Sequence, residues 1–192
     1  ECDSFQWNGV WYDTSGVYTT TGLTTTNTFG GTSATGNSGN EGNIWHFGYG
    51  CGLDFNSGVP VAIPNGQLST LEGCATISDN NGDLLFYTDG LVVYNRNHTL
   101  MPNGSGLLGH SSSTQSAIIV KKPGSTTIYY LFTVDGWSGL NGGLHYSEVD
   151  MTLDGGLGDI NMNKNIALIA STAEKVTAIK HQNGSDFWII SR

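Results

Sequence analysis

The chain has 192 residues, a formal net charge of −9 and only 12% charged residues, its polarity coming instead from 28 glycines and an abundance of Thr, Ser and Asn. That length holds one domain with a real core, or a small domain plus an appended module. Seven Lys and Arg without a cluster, on an acidic chain, argue against nucleic acid and anionic membrane as partners, and no apolar run is long enough to span a bilayer.

Residues 1 to 24, ECDSFQWNGVWYDTSGVYTTTGLT, carry five aromatics in their first eighteen positions, Phe5, Trp7, Trp11, Tyr12 and Tyr18, interrupted by Asn8-Gly9 and Ser15-Gly16. Asn-Gly between aromatic runs is a strong hairpin signal, so this stretch reads as a short N-terminal β arm with Trp7 and Trp11 at its centre. The start lacks the basic-then-apolar order of a signal peptide. Residues 25 to 40 are almost devoid of apolar side chains and read as a polar Gly/Thr/Ser linker. The remaining stretch, 41 to 192, is the main β domain.

Within it, ATISDNNGDLLFYTD (75 to 89), AIIVKKPGSTTIYYLFTVD (117 to 135) and TAIKHQNGSDFWIIS (177 to 191) share one grammar: a β-branched run, a Gly turn, and an aromatic-aliphatic run. Their turn glycines, Gly82, Gly124 and Gly184, lie 42 and then 60 residues apart. A period near 42 suits the four-stranded blade of a β-propeller, with one enlarged unit in the second interval. LVVYN (91 to 95), GLHYSEVDM (143 to 151) and KNIALIA (164 to 170) supply further strands, Trp45 and Trp188 read as strand core, and no helical period is present. The expectation is an all-β, antiparallel, propeller-like fold, partial because about three blade-like hairpin units do not close a ring.

The stretches GNIWHFGYGCGLDFNSGVPVAI, EGCATISDNNGDLLFYTDGLVVYNRNHTLMPNGSGLLGHSSSTQSAIIVKKPGS, YYLFTVD, YSEVDMTLDGGLGDIN and EKVTAIKHQNGSDFWIIS resemble the propeller-like region of large secreted Bacteroidota surface proteins of the type IX secretion, gliding-motility-associated type. Residues 2 to 19 resemble the Cys-containing repeat of their stalks, although the closing Cys is missing and leaves Cys2 without its expected partner. The resemblance implies an extracellular or cell-surface location and brings no catalytic residues with it.

Three cysteines cannot all pair. Cys51 and Cys74 enclose about two dozen residues, a loop for which a disulfide would add roughly 3 kcal/mol, and that bridge is expected; Cys2 is left for an intermolecular bond or a free terminal thiol. Asp79, Asn81 and Asp83 alternate as oxygen donors, the arrangement of a calcium loop. The Glu that closes an EF-hand loop is absent from the residues that follow. A plain hairpin turn also accounts for the downstream copies, and calcium remains the alternative there and in DGGLGD (154 to 159). No other cofactor is expected.

Catalysis finds little footing. The serines of GHSSSTQSA (109 to 117) lack a nucleophile elbow, the turn at Ser78 misses the sialidase register, and Arg96 and Arg192 are too few to clamp a sugar carboxylate. Glu72 with Asp89, or Glu148 with Asp150, could form a carboxylate pair only if folding placed them together. Flat aromatic faces stack on sugars and anchor interfaces, which makes Trp137 in the loop DGWSGLNGG, with Asn141, the ligand-binding candidate. The sequence therefore predicts a non-enzymatic structural or adhesive surface protein, an adhesin module or a filament subunit. Its partners would be itself through the N-terminal arm, other surface proteins, or glycans. The alternative is a glycan-binding or carbohydrate-active module of a secreted enzyme.

Overall fold

A computed structural model describes the two strands of the N-terminal arm and residues 39 to 136 and 142 to 192. The arm strands, β1 (Phe5–Trp7) and β2 (Val10–Tyr12), pair antiparallel across Asn8-Gly9, with Trp7 opposite Val10. The linker expected at 25 to 40 lies almost entirely outside the described residues.

Four antiparallel sheets follow, and among the described residues there is no α-helix. The first holds β3 (Ile44–Phe47), β4 (Cys51–Asp54) and β5 (Val61–Ala62). The second is a meander of β6 (Ala75–Ser78), β7 (Leu84–Thr88), β8 (Val92–Asn95) and β9 (Leu100–Ser105). The third runs β10 (Ala117–Lys121), β11 (Ile128–Val134), β12 (Leu144–Asp150) and β13 (Asp159–Ile160), with β14 (Ile166–Ile169) also on β12. The fourth is the hairpin of β15 (Val176–Lys180) and β16 (Phe187–Ser191).

All three expected hairpins form, as β6/β7, β10/β11 and β15/β16. Their turn glycines have φ of +92° (Gly82), +74° (Gly124) and +75° (Gly184), a region in which a Cβ is strained. The first and third turns share one closure: Gly82 N–H donates to the Asp79 carbonyl and Gly184 N–H to the His181 carbonyl, each at 3.0 Å. In the second turn it is Ser125 N–H, one residue past Gly124, that closes onto the Lys122 carbonyl at 3.0 Å. The enlarged unit is the third sheet, in which a 3₁₀ turn at Asp154–Gly156 separates β12 from β13.

Strand alternation stacks these sheets face on face. One face of the second sheet, Ala75, Ile77, Phe86, Val93 and Met101, packs against Ala117, Ile119, Tyr129, Leu131 and Val149 of the third. The other face of the third sheet, Ile118, Val120, Phe132, Val134 and Leu144, packs against Val176, Ala178, Phe187 and Ile189 of the fourth. Each fully buried large side chain among these contributes about 1.5–3 kcal/mol. On the remaining side, β3 lies over the second sheet: Thr76 Oγ1 accepts from His46 N–H at 2.9 Å and Ser78 N–H donates to the Glu41 carbonyl at 2.9 Å. Asn103 fastens the second sheet to the third, donating from its backbone N–H and Nδ2 to the Asp159 carboxylate at 2.8 and 2.6 Å.

Among the described residues the architecture is thus an all-β row of four stacked sheets, in which no closed barrel or propeller is detected.

Candidate functional site

The acidic turn that suggested calcium is spent on its own backbone. Asp79 Oδ1 accepts from Asn81 N–H at 2.8 Å and from Asp83 N–H at 3.0 Å, an Asx-type turn, and Asn81 Nδ2 lies 3.4 Å from Asp79 Oδ2. The hairpin thus employs the Asp79 carboxylate, the Asn81 amides and the Asp83 backbone N–H. In the second acidic loop, Asp159 is likewise occupied by Asn103 and by Ile160 N–H. Among the described residues no three His, Cys, Asp or Glu side chains converge as a metal-binding group.

The expected bridge between Cys51 and Cys74 is corrected: both are free thiols. Cys51, opposite Phe47 at the turn end of β4, is exposed on the outer side of the first sheet, whereas Cys74 precedes β6, with β3 lying between the two strands. Burial, with the nearby Asp89 charge, pushes the Cys74 thiol up to about 11, so it stays protonated and inert. Cys2 lies outside the described residues.

Trp137 and Asn141 also lie outside the described residues, but the base of their loop is defined. Buried Asp135 accepts from Gly136 N–H at 2.7 Å and from Gly142 N–H at 2.8 Å, so one carboxylate fixes both ends of the 136 to 142 segment. Across the ladder Thr133 stands opposite His145, both buried. Burial lowers the His145 pKa, with Asp135 opposing.

Of the carboxylates considered as pairs, Glu148, Asp89 and Asp150 do structural work, while Glu72 is exposed. Burial alone would raise the Glu148 carboxyl, but hydrogen bonds from Asn161, Lys122 and Asn163, together with the Lys122 charge, hold it below the usual carboxylate range. Asp89 accepts from Leu91 and Val92 N–H, and Asp150 from Thr152. In the serine loop, buried Ser116 packs so tightly beneath Gly73 and Gly90 that a Cβ on either would overlap it.

A feature missed by sequence reading lies under the first sheet. His46 is 2% exposed, stacks on Tyr87 at a centroid distance of 4.3 Å, and meets the edge of His98 at 5.4 Å. Tyr87 Oη and Asn65 Nδ2 occupy the two His98 ring nitrogens, at 3.0 and 2.8 Å. Neither His46 ring nitrogen has a hydrogen-bond partner. Burial first, then the neighbouring His98, lowers the His46 pKa to about 4, with the Cys51 backbone opposing. Sequence distance hid the pair: positions 46 and 98 meet only because β3 crosses the face of the second sheet.

The inward turn of His46 sends its neighbours outward. Trp45 is 42% and Phe47 37% exposed, so the reading of Trp45 as strand core is corrected: it is a strand residue on the uncovered face. The Phe55 ring lies tilted against it at 5.0 Å, and Leu53 and Ala62 share that face by register. At the other end of the row, Thr177, Ile179, Trp188 and Ile190 form the outer side of the fourth sheet, with Ile179 53% exposed and Trp188, half-buried, 5.4 Å from the His181 ring. Net charge follows the same axis. Residues 1 to 95 contain nine Asp and Glu and no Lys or Arg, whereas residues 96 to 192 contain seven of each kind.

The fold and these surfaces define a class: a stack of antiparallel sheets, among the described residues, with exposed aromatic side chains on the outer side of its first sheet and an acidic first half of the chain. Compared with protein-family models, curated proteins and solved structures, the chain matches none.

Proposed function

We propose that this chain is an extracellular, non-enzymatic surface protein with a structural or adhesive role, built on a propeller-like plan. The observation that carries the reading is the outward side of the first sheet, where Trp45 and Phe47 stand exposed and which a chain working in an assembly would cover. The four-stranded second sheet and five-stranded third sheet, packed face to face, support the propeller-like plan. The low-charge, Gly- and Thr-rich composition and the resemblance to secreted Bacteroidota surface proteins support the location. A Cys51–Cys74 bridge is no part of that argument; exposed Cys51 is instead a thiol that a neighbouring chain could reach.

Light scattering with electron microscopy of the purified intact chain tests the structural role. Assemblies that grow with concentration are expected; a single-chain mass throughout counts against it. The Asp135 staple favours a second, glycan-binding reading, because it presents the Trp137 loop from a fixed base. In that case Trp137→Ala should abolish retention on a glycan array, and an unchanged binding profile would exclude it.

A further inference from the structure

The four sheets are not held together in the same way. The second, third and fourth are joined by two clusters of buried apolar side chains, and no residue of the first sheet belongs to either. Of the strand residues in the first sheet, only His46 and Gly52 are buried. The segment that leaves this sheet, residues 63 to 71, stays attached to it: Ile63 N–H donates to the Gly52 carbonyl at 3.0 Å, Gly50 N–H to the Leu68 carbonyl at 2.9 Å and Thr70 N–H to the Gly48 carbonyl at 3.1 Å. Sheet and segment together form one cover over the second sheet.

What fastens the cover is polar. Besides the contacts of His46 and Glu41 to Thr76 and Ser78, Asn56 Nδ2 donates to the Gly82 carbonyl at 3.1 Å, Gln67 N–H donates to Tyr87 Oη at 3.1 Å, and Asn65 Nδ2 lies 2.8 Å from His98 Nε2. Water can replace such bonds, so each contributes only about 0.5–1.5 kcal/mol net, and units with few buried apolar contacts are the ones that open locally. In the middle of this layer sits the His46 ring, closed in by Gly52 and Gly66, where an added Cβ would come within 3.0 and 2.8 Å of Nδ1.

That enclosure is a poor host for a proton. From the second sheet the ring meets Tyr87, backed by Tyr94, together with His98 and, beside its backbone, Thr76. From its own sheet it meets Gly52 and the Cys51 backbone, and from the connecting segment Gly66, between Asn65 and Gln67. None of these is a carboxylate, and His98, once protonated, carries the same charge as His46. A buried charge without a counter-charge is disfavoured until its surroundings open. Lifting the cover returns both imidazoles to water.

We infer that the first sheet, with residues 63 to 71, is an acid-released cover: protonation of His46 and His98 detaches it as a unit while the second, third and fourth sheets stay packed. Trp45 and Phe47 stand on the outer side of this cover, so acid acts on the face that the structural reading uses, but the release does not rest on that reading.

Hydrogen exchange of the full chain at pH 7 and pH 4.5, read by mass spectrometry as protection factors corrected for the intrinsic effect of pH, tests it. In the wild type, protection across residues 44 to 54 should fall at least about tenfold on acidification, because between pH 6.5 and 4 the open state takes up a proton that the closed state refuses. Protection across β10 and β11 should hold. His46→Leu should lose most of the acid response. If that variant does not fold at pH 7 by circular dichroism, His98→Asn decides; His98 has φ +59°, which Asn tolerates, and the acid response should again shrink. A first sheet equally protected at both pH values, a loss spread evenly over all four sheets, or a wild-type response in the folded variant would overturn the inference.

Discussion

At the scale of single residues, His46 shows how a titratable side chain can be the price of a layer contact. Its folded pKa, near 4, lies below the unfolded value of 6.5. Above about pH 6.5 the ring is neutral in both states and nothing is lost. As pH falls from there toward 4 the unfolded chain takes up a proton that the folded chain refuses, so stability declines, and below 4 the decline levels off. With solvent screening at the ring edge allowed for, the loss is on the order of 2 kcal/mol. The groups facing the ring, Tyr87, His98 and the Cys51 backbone, supply no carboxylate to offset it. Denaturant midpoints measured across this range should fall for the wild type and fall less for His46→Leu; equal slopes would contradict the assignment. The cysteines divide just as clearly. Cys51 should react with maleimide at neutral pH at least about a hundredfold faster than Cys74, whose thiolate is suppressed by burial, and peptide mapping that found the two equally labelled, or bridged, would refute this.

Among the elements, the hairpins were the legible part. Their sequences place β-branched and aromatic runs on either side of a glycine, and local turn chemistry suffices to pair them. The turns nonetheless differ in what surrounds them. A Cβ at Gly184 would meet open space, so Gly184→Ala carries only the left-handed backbone penalty of about 1–2 kcal/mol. A Cβ at Gly82 would collide with Asn56, whose Nδ2 donates to the Gly82 carbonyl and whose Oδ1 accepts from Asn43, tying the first sheet to this turn. Gly82→Ala should therefore destabilise more than Gly184→Ala in urea unfolding, and the reverse order would contradict the packing. Strand β9 was not legible, because Pro102, Asn103 and Gly104 read as breakers. It forms as an edge strand, where a missing N–H is tolerated. Two-residue β13 is too short to leave any periodic signal. Alternation told which side chains of β3 share a face but not which face would be covered, since that depends on the sheet brought over it from 30 residues along the chain.

For the whole molecule, the shared hairpin grammar announced repeated sheets, but the row they form is set by contacts between sheets, which composition and period do not encode. The candidate site was less legible still. The acidic turn that drew attention serves its own backbone, and the exposed faces lie on strands whose aromatics resembled core. The most direct measurement is covalent surface labelling of the intact chain at low and at high protein concentration, read out by peptide mass spectrometry. The account predicts that labelling of the peptides holding Trp45 and Phe47 falls as concentration rises, while exposed positions elsewhere, such as Met162, are unchanged. Labelling of Trp45 and Phe47 that does not depend on concentration, or protection confined to residues 1 to 24, would contradict it.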